Sequence, residues 1–204
     1  MLKLYSKPGA CSTADDIALQ WTGAPFEVEV MTADKMKSDA YRALNPAGSV
    51  PTLVDGDFVL TQNAAILGYV ADTYPQAQLA GDGSARQRAE ANRWLAFCNS
   101  DLHPAFKPVF GPGNYIDDPA EYQAVQDAAR KRVRALFEVA DRQLAGKQWL
   151  AGFRSYADPY FYITLLWAGR TGISLQGLDN LAAFKQRMDA DPGVQAALET
   201  EGLK

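Results

Sequence analysis

The sequence holds one histidine, His103, and two cysteines, Cys11 and Cys98, in 204 residues. That scarcity excludes a His/Cys metal cluster, because there is no C-x-x-C pair and one imidazole is one ligand. Long apolar runs are missing too. None approaches the ~18 residues that cross a bilayer, and Met1-Leu2-Lys3-Leu4 leads straight into patterned sequence, so neither a membrane span nor a signal peptide is expected. The expected location is the cytoplasm, where a reducing environment disfavours a structural Cys11–Cys98 disulfide. Nor is there an excess of positive charge: 20 Lys plus Arg face 24 Asp plus Glu, for a formal net charge of -4. Such a balance gives no general attraction to nucleic acid or an anionic membrane. The one basic run, Arg130-Lys131-Arg132-Val133-Arg134, finds i,i+4 partners in Asp127 and Glu138 and reads as a solvated helix face.

What remains is an ordinary globular composition, 48% hydrophobic and 22% charged, with length for one large domain or two small ones. The two halves differ in pattern. Residues 1–77 alternate strand-like and helix-like segments, as in an α/β unit. Leu2 to Tyr5 is a short extended segment ended by Pro8-Gly9. Ala14, Ile17, Ala18 and Trp21 share one helical face, with Gly23 placed to stop the helix. Phe26 to Val30 alternates with period two, a strand. A short helix around Asp39 to Leu44 follows, then Pro51 to Val54 and Phe58 to Leu60 flank Asp55-Gly56-Asp57, a hairpin signal. Asn63 to Tyr74 is helical, closed by Pro75. Residues 78–84 are polar and glycine-bearing, a linker, and residues 85–204 read as helices broken at Gly or Pro, an all-helical bundle.

Cys11 sits where the first loop becomes a helix. Ser12 with Asp15, and Thr13 with Asp16, match capping-box spacing. Free helix N–H groups and the positive end of the helix dipole favour a thiolate there, so a sulfur at this point is expected to have a lowered pKa. That sulfur is either Cys11 or a bound thiol ligand, and the alternative is a Cys11 that is inert packing. A redox dithiol needs a second cysteine at position 14, which is Ala14, so only monothiol chemistry or ligand-thiol activation fits.

Two further stretches carry information. Val50-Pro51 opens a strand, and an X-Pro bond is the only kind that goes cis cheaply. A cis bond would turn the Val50 backbone outward to pair with an extended peptide; a trans proline opening a strand is the default. Thr61-Gln62-Asn63 joins a strand end to a helix start, where amide side chains and free N–H groups suit a carboxylate, unless Asn63 is only an N-cap. Phe106, Tyr115, Tyr160 and Trp167 either line an apolar pocket or belong to the core.

These elements together resemble the glutathione S-transferase family, most closely its bacterial beta class. The carrying stretches are KLYSKPGACS, NPAGSVPTL, TQNAAILGYVAD, WLAFCNSDLHPAF, the Ser155-x-x-Asp158 helix cap and the ending ALETEGLK, in order along the whole chain. The resemblance implies a thioredoxin-like N-terminal domain that binds glutathione, followed by a C-terminal helical bundle that supplies most of the second-substrate pocket. It implies a cytosolic homodimer with reduced glutathione as co-substrate and no metal, acting on a small hydrophobic electrophile. Carried over by position, Cys11 is the beta-class cysteine beside the glutathione sulfur, Ser12 helps stabilise the thiolate, and His103 is the active-site histidine, titrating near neutrality. Val50, before a cis Pro51, pairs with the cysteinyl backbone of glutathione. Gln62 and Asn63 hold its γ-glutamyl end, and Lys35 falls near a lysine that contacts it. The chain departs from the pattern at Gln62, where Glu is usual, at Asn63, at Pro104, where a lysine often stands, and at Ala96, where asparagine is common. Two other functions compatible with these residues are a glutathione-dependent monothiol transferase acting through a Cys11 mixed disulfide, and a non-catalytic binding module of the same fold.

Overall fold

The computed structural model describes residues 1–204. The first half is a four-stranded sheet of β1 (Leu2–Ser6), β2 (Phe26–Val30), β3 (Thr52–Asp55) and β4 (Phe58–Thr61), in the spatial order β2-β1-β3-β4. β1 and β2 run parallel, and the other two pairings are antiparallel. Parallel neighbours need a crossover, and helix α1 (Thr13–Thr22) supplies it. β3 and β4 are joined by Gly56-Asp57 alone, and Gly56 takes the left-handed φ of 61° that a two-residue hairpin with glycine first requires. The polar stretch after β2 forms two short helices, α2 (Ala33–Lys37) and α3 (Asp39–Leu44), each capped by a hydroxyl, Thr32 and Ser38. Helix α4 (Asn63–Thr73) then buries Ile66, Leu67 and Val70 against the sheet layer.

The second half is helical: α5 (Ala85–Ala96), α6 (His103–Phe110), α7 (Tyr122–Leu144), α8 (Ala157–Arg170), α9 (Asp179–Asp189) and α10 (Pro192–Thr200). Between Ala85 and Phe110, where no glycine breaks the sequence, the helix is nevertheless not α throughout. Phe97–Leu102 winds as a π-helix between α5 and α6, a form that concentrates at functional sites. It delivers His103 as the first residue of α6. At the start of α8, Asp158 accepts from Ser155 N at 2.7 Å, Ser155 Oγ at 3.0 Å and Leu150 N at 3.1 Å. Pro159 follows inside the first turn, where a missing N–H costs nothing.

The two halves share one apolar core that runs from Leu4, Ile17 and Leu53 to Phe137, Phe161 and Phe184. Helix α1 is the hinge of it: Thr13 to Leu19 are all buried, because α8 and α10 pack on the side that the sheet and α4 leave open. The segment 78–84 is packed rather than loose, with Leu79 and Ala80 buried and Leu79 O accepting from Tyr156 N at 3.0 Å.

Candidate functional site

Two cavities meet at Cys11. The larger, of about 640 Å³, runs from Cys11 past Val50-Pro51 to Gln62 and Asn63, with His103 on the opposite wall. The smaller, of about 360 Å³, shares Cys11, Val50 and His103 with it and continues between Phe110 and Trp167. Both lie in the size range of small-ligand sites.

The loop holding Cys11 is fixed from beneath. The capping boxes expected of Ser12 and Thr13 do not form. Ser12 makes no side-chain cap; its oxygen pairs with Ser6 Oγ at 2.8 Å and accepts from Lys7 N at 3.1 Å. Thr13 Oγ1 donates to the Glu201 carboxylate at 2.6 Å. Glu201, fourth from the end of the chain, also accepts from Gly9 N at 3.0 Å and from Ser6 Oγ. Long-range partners thus outcompete the local caps. Ser12 is fully buried, so it reaches the cavity only through its backbone.

Cys11 is half-buried, and its Sγ lies 3.9 Å from Val50 O. Contrary to the expected lowering, its thiol is pushed up to about 12, by burial first and by the neighbouring Asp15 second. The N–H groups of Cys11 and Ser12 act the other way and are outweighed. The sulfur of this residue is therefore a thiol, with the donors arranged around it.

Val50–Pro51 is cis, with the Val50 backbone on the cavity wall. Gln62 is exposed there, with φ 76° and ψ 116°. For a non-glycine residue this is a strained conformation, the kind that persists where a site requires it. Asn63 opens α4 but is buried. With its amide turned so that donors meet acceptors, its nitrogen binds Cys11 O at 3.0 Å and Asp15 Oδ2 at 2.5 Å. It ties the start of α4 to the start of α1.

His103 Nδ1 is 2.7 Å from the Tyr160 hydroxyl. The expected near-neutral titration is corrected: burial, and then the charge of Lys107, bring it down to about 4, so the ring is neutral at pH 7. Lys35 is not brought to the site. Its Nζ pairs with Glu29 at 3.3 Å on the outer strand β2, and it does not line either cavity. Among the aromatics, Phe106 is core, Tyr160 and Trp167 line the cavities, and Tyr115 is 54% exposed on another surface.

Sequence reasoning passed over Asn99 and Lys107, which line the larger cavity, and Arg170, which lines the smaller. Lys107 had a signal: it stands four residues after His103, on the same helical face. It restores a cation near where Pro104 removes one.

Comparison with known proteins bears on the whole chain. Residues 11–73 match the family "Glutathione S-transferase, N-terminal domain", and residues 94–192 match "Glutathione S-transferase, C-terminal domain". Glutathione S-transferase GST-4.5 of Xanthomonas campestris is 54% identical over 203 residues, covering 99% of this chain and 100% of its own. A solved glutathione S-transferase from Xylella fastidiosa superposes with a TM-score of 0.96 at 51% identity, covering 99% of each chain. A sphingomonad glutathione S-transferase solved in complex with glutathione gives a TM-score of 0.87 at 38% identity, over 99% of this chain and 100% of that one. In sequence, in the order of its elements and along its full length, this chain belongs to the glutathione S-transferase family.

Proposed function

We propose that the protein is a beta-class glutathione transferase that binds reduced glutathione in the larger cavity and presents its thiol to a small electrophile in the smaller one. The observation that carries this reading is the junction of the two cavities at Cys11, Val50 and His103. A tripeptide laid along the Val50 backbone would pair with it as an added strand and bring its sulfur to that junction. Gln62 and the cation of Lys107 suit the charged ends of the peptide. The bound thiol would meet a neutral S–H on Cys11, the N–H groups of Cys11 and Ser12, and the N-terminus of α1, all favouring its anion. A free thiol has a pKa of about 8.5, and each unit of lowering corresponds to roughly 1.4 kcal/mol of thiolate stabilisation.

The state of Cys11 favours conjugation over the monothiol exchange reading. Exchange needs a Cys11 thiolate, which burial disfavours; conjugation needs only a donor. The test is calorimetric titration of reduced glutathione, followed by conjugation of 1-chloro-2,4-dinitrobenzene by the wild type and by Cys11→Ala. Saturable one-site binding, turnover that survives in Cys11→Ala, and no glutathione–disulfide exchange by either protein are the expected outcome. Absence of binding up to millimolar glutathione would leave only a binding module turned to another ligand. A homodimer follows the family pattern, and the edge strand β4 exposes the apolar side chains of Phe58 and Val59. Sedimentation velocity at micromolar protein decides that point.

A further inference from the structure

The smaller cavity is built for more than an apolar guest. Its wall is aromatic. Trp167 meets Phe110 with ring centroids 5.4 Å apart at 85°, and the His103 ring lies 4.8 Å from Trp167. Trp167 Nε1 donates to Gly9 O at 2.8 Å, which fixes the indole plane and satisfies its only polar atom. Arg170, the last residue of α8, closes the same wall. Its guanidinium lies across Gly9: a Cβ on Gly9 would fall 2.1 Å from Arg170 Nη1. The absent side chain of Gly9, at a φ of 68°, is what lets the arginine cross the loop to the cavity mouth.

Arg170 has no carboxylate within 4.0 Å and no hydrogen-bond partner of its own. Glu201 feels the charge of Arg170 but is already bound by Ser6, Gly9 and Thr13. An exposed guanidinium at the mouth of a cavity lined by two aromatic side chains, with its donors unused, matches a planar anion attached to a ring.

We propose that Arg170 selects electrophiles that carry a carboxylate on an aromatic or conjugated frame, with the frame against Trp167 and Phe110 and the reacting carbon toward Cys11. The proposal deepens the transferase reading and rests on it for its chemistry. With 4-chloro-3-nitrobenzoate, the glutathione sulfur attacks the carbon bearing chlorine. A C–S bond forms, the C–Cl bond breaks, chloride leaves with the bonding pair, and the thiol proton passes to solvent. The carboxylate stays ionised on Arg170, and nothing is oxidised or reduced.

The experiment compares 4-chloro-3-nitrobenzoate with its neutral amide, 4-chloro-3-nitrobenzamide, each kcat/KM divided by the uncatalysed rate constant with glutathione. It uses the wild type, Arg170→Gln and Arg170→Lys. The expected result is a loss in Arg170→Gln about tenfold larger for the benzoate than for the benzamide, expressed in KM, with partial recovery in Arg170→Lys and attenuation in 0.5 M salt, an addition of about that size being enough to screen exposed charge. Equal losses for both substrates would make Arg170 a structural residue and overturn the proposal, as would no loss for either. A second measurement does not need turnover: calorimetric binding of unreactive 3-nitrobenzoate and 3-nitrobenzamide, with and without S-methylglutathione. Benzoate binding that depends on Arg170 in a protein that fails to bind glutathione would sink the transferase reading and keep the anion-binding pocket. Benzoate binding indifferent to Arg170→Gln would sink the pocket and leave the transferase reading standing.

Discussion

Cys11 and His103 are both held uncharged at neutral pH by loss of water, which pushes the proton onto one and off the other. Because His103 titrates at about 4 rather than 6.5, the pH–rate profile of conjugation should carry no imidazole ionisation near neutrality, and its single inflection should be that of the bound glutathione thiol. His103 also makes stability rise with pH between about 4 and 6.5, since the unfolded state binds the proton that the folded state rejects. Asp16 has the opposite sign. It is buried, its Oδ2 has no partner, and burial raises its carboxyl to about 7. The folded state therefore holds a proton that the unfolded state has released, and stability falls as pH rises from the unfolded value of 3.8 through about 7. Relative to wild type, Asp16→Asn should leave stability unchanged near pH 3 and raise it at pH 8 by on the order of 1 kcal/mol or more, read by urea unfolding at both pH values. Glu201→Ala should cost about 3 kcal/mol by the same measurement, because it strands the Gly9 N–H and the Thr13 hydroxyl inside the protein. Gln62→Glu adds the carboxylate missing from an exposed position on the cavity wall. It should tighten glutathione two- to fivefold by calorimetry, a gain of about 0.5–1 kcal/mol from one exposed ion pair with the ligand ammonium.

At the scale of elements, the strands and the longer helices were legible because their apolar periods are local: Ala14, Ile17 and Ala18 on α1 and Ile66, Leu67 and Val70 on α4 are buried as that pattern requires. Helix α2 was not legible, because all five of its residues lie outside the core and no apolar stripe marks it. The π-helix at Phe97–Leu102 was hidden for another reason: one extra residue per turn leaves composition unchanged and moves only the phase. In the site, the loop-to-helix cysteine, the Val50-Pro51 pair and the Gln62-Asn63 start stand out by type and position, whereas Glu201, which accepts from Gly9 N, and Arg170, which lies against Gly9, are far from it in sequence and leave no local trace. The Ser155/Asp158 cap was readable through its resemblance to the family's helix cap. Asp158→Ala removes the acceptor of three buried donors, and should lower stability by about 3 kcal/mol in urea while leaving the glutathione affinity of the folded fraction within twofold.

Over the whole molecule, the two sequence halves differ in class but not in core. Helix α1 is buried all around over Thr13 to Leu19, and cross-links such as Trp21 Nε1 to Asp191 Oδ1 at 2.7 Å and Trp167 Nε1 to Gly9 O at 2.8 Å join the halves. A chain of residues 1–77 alone should therefore fail to form a cooperative unit. The expected signs are dye binding of the molten type and no sharp urea transition, and a sharp two-state transition in that fragment would refute this account. The same arrangement has a consequence for biosynthesis. Glu201 fastens the loop that carries Cys11, yet it follows Gly9 by 192 residues, so during synthesis that loop stays unfastened until Glu201 has emerged and packed. A polypeptide stopped before Glu201 lacks that latch, and its Cys11 loop has nothing to hold the Gly9 N–H and the Thr13 hydroxyl in place.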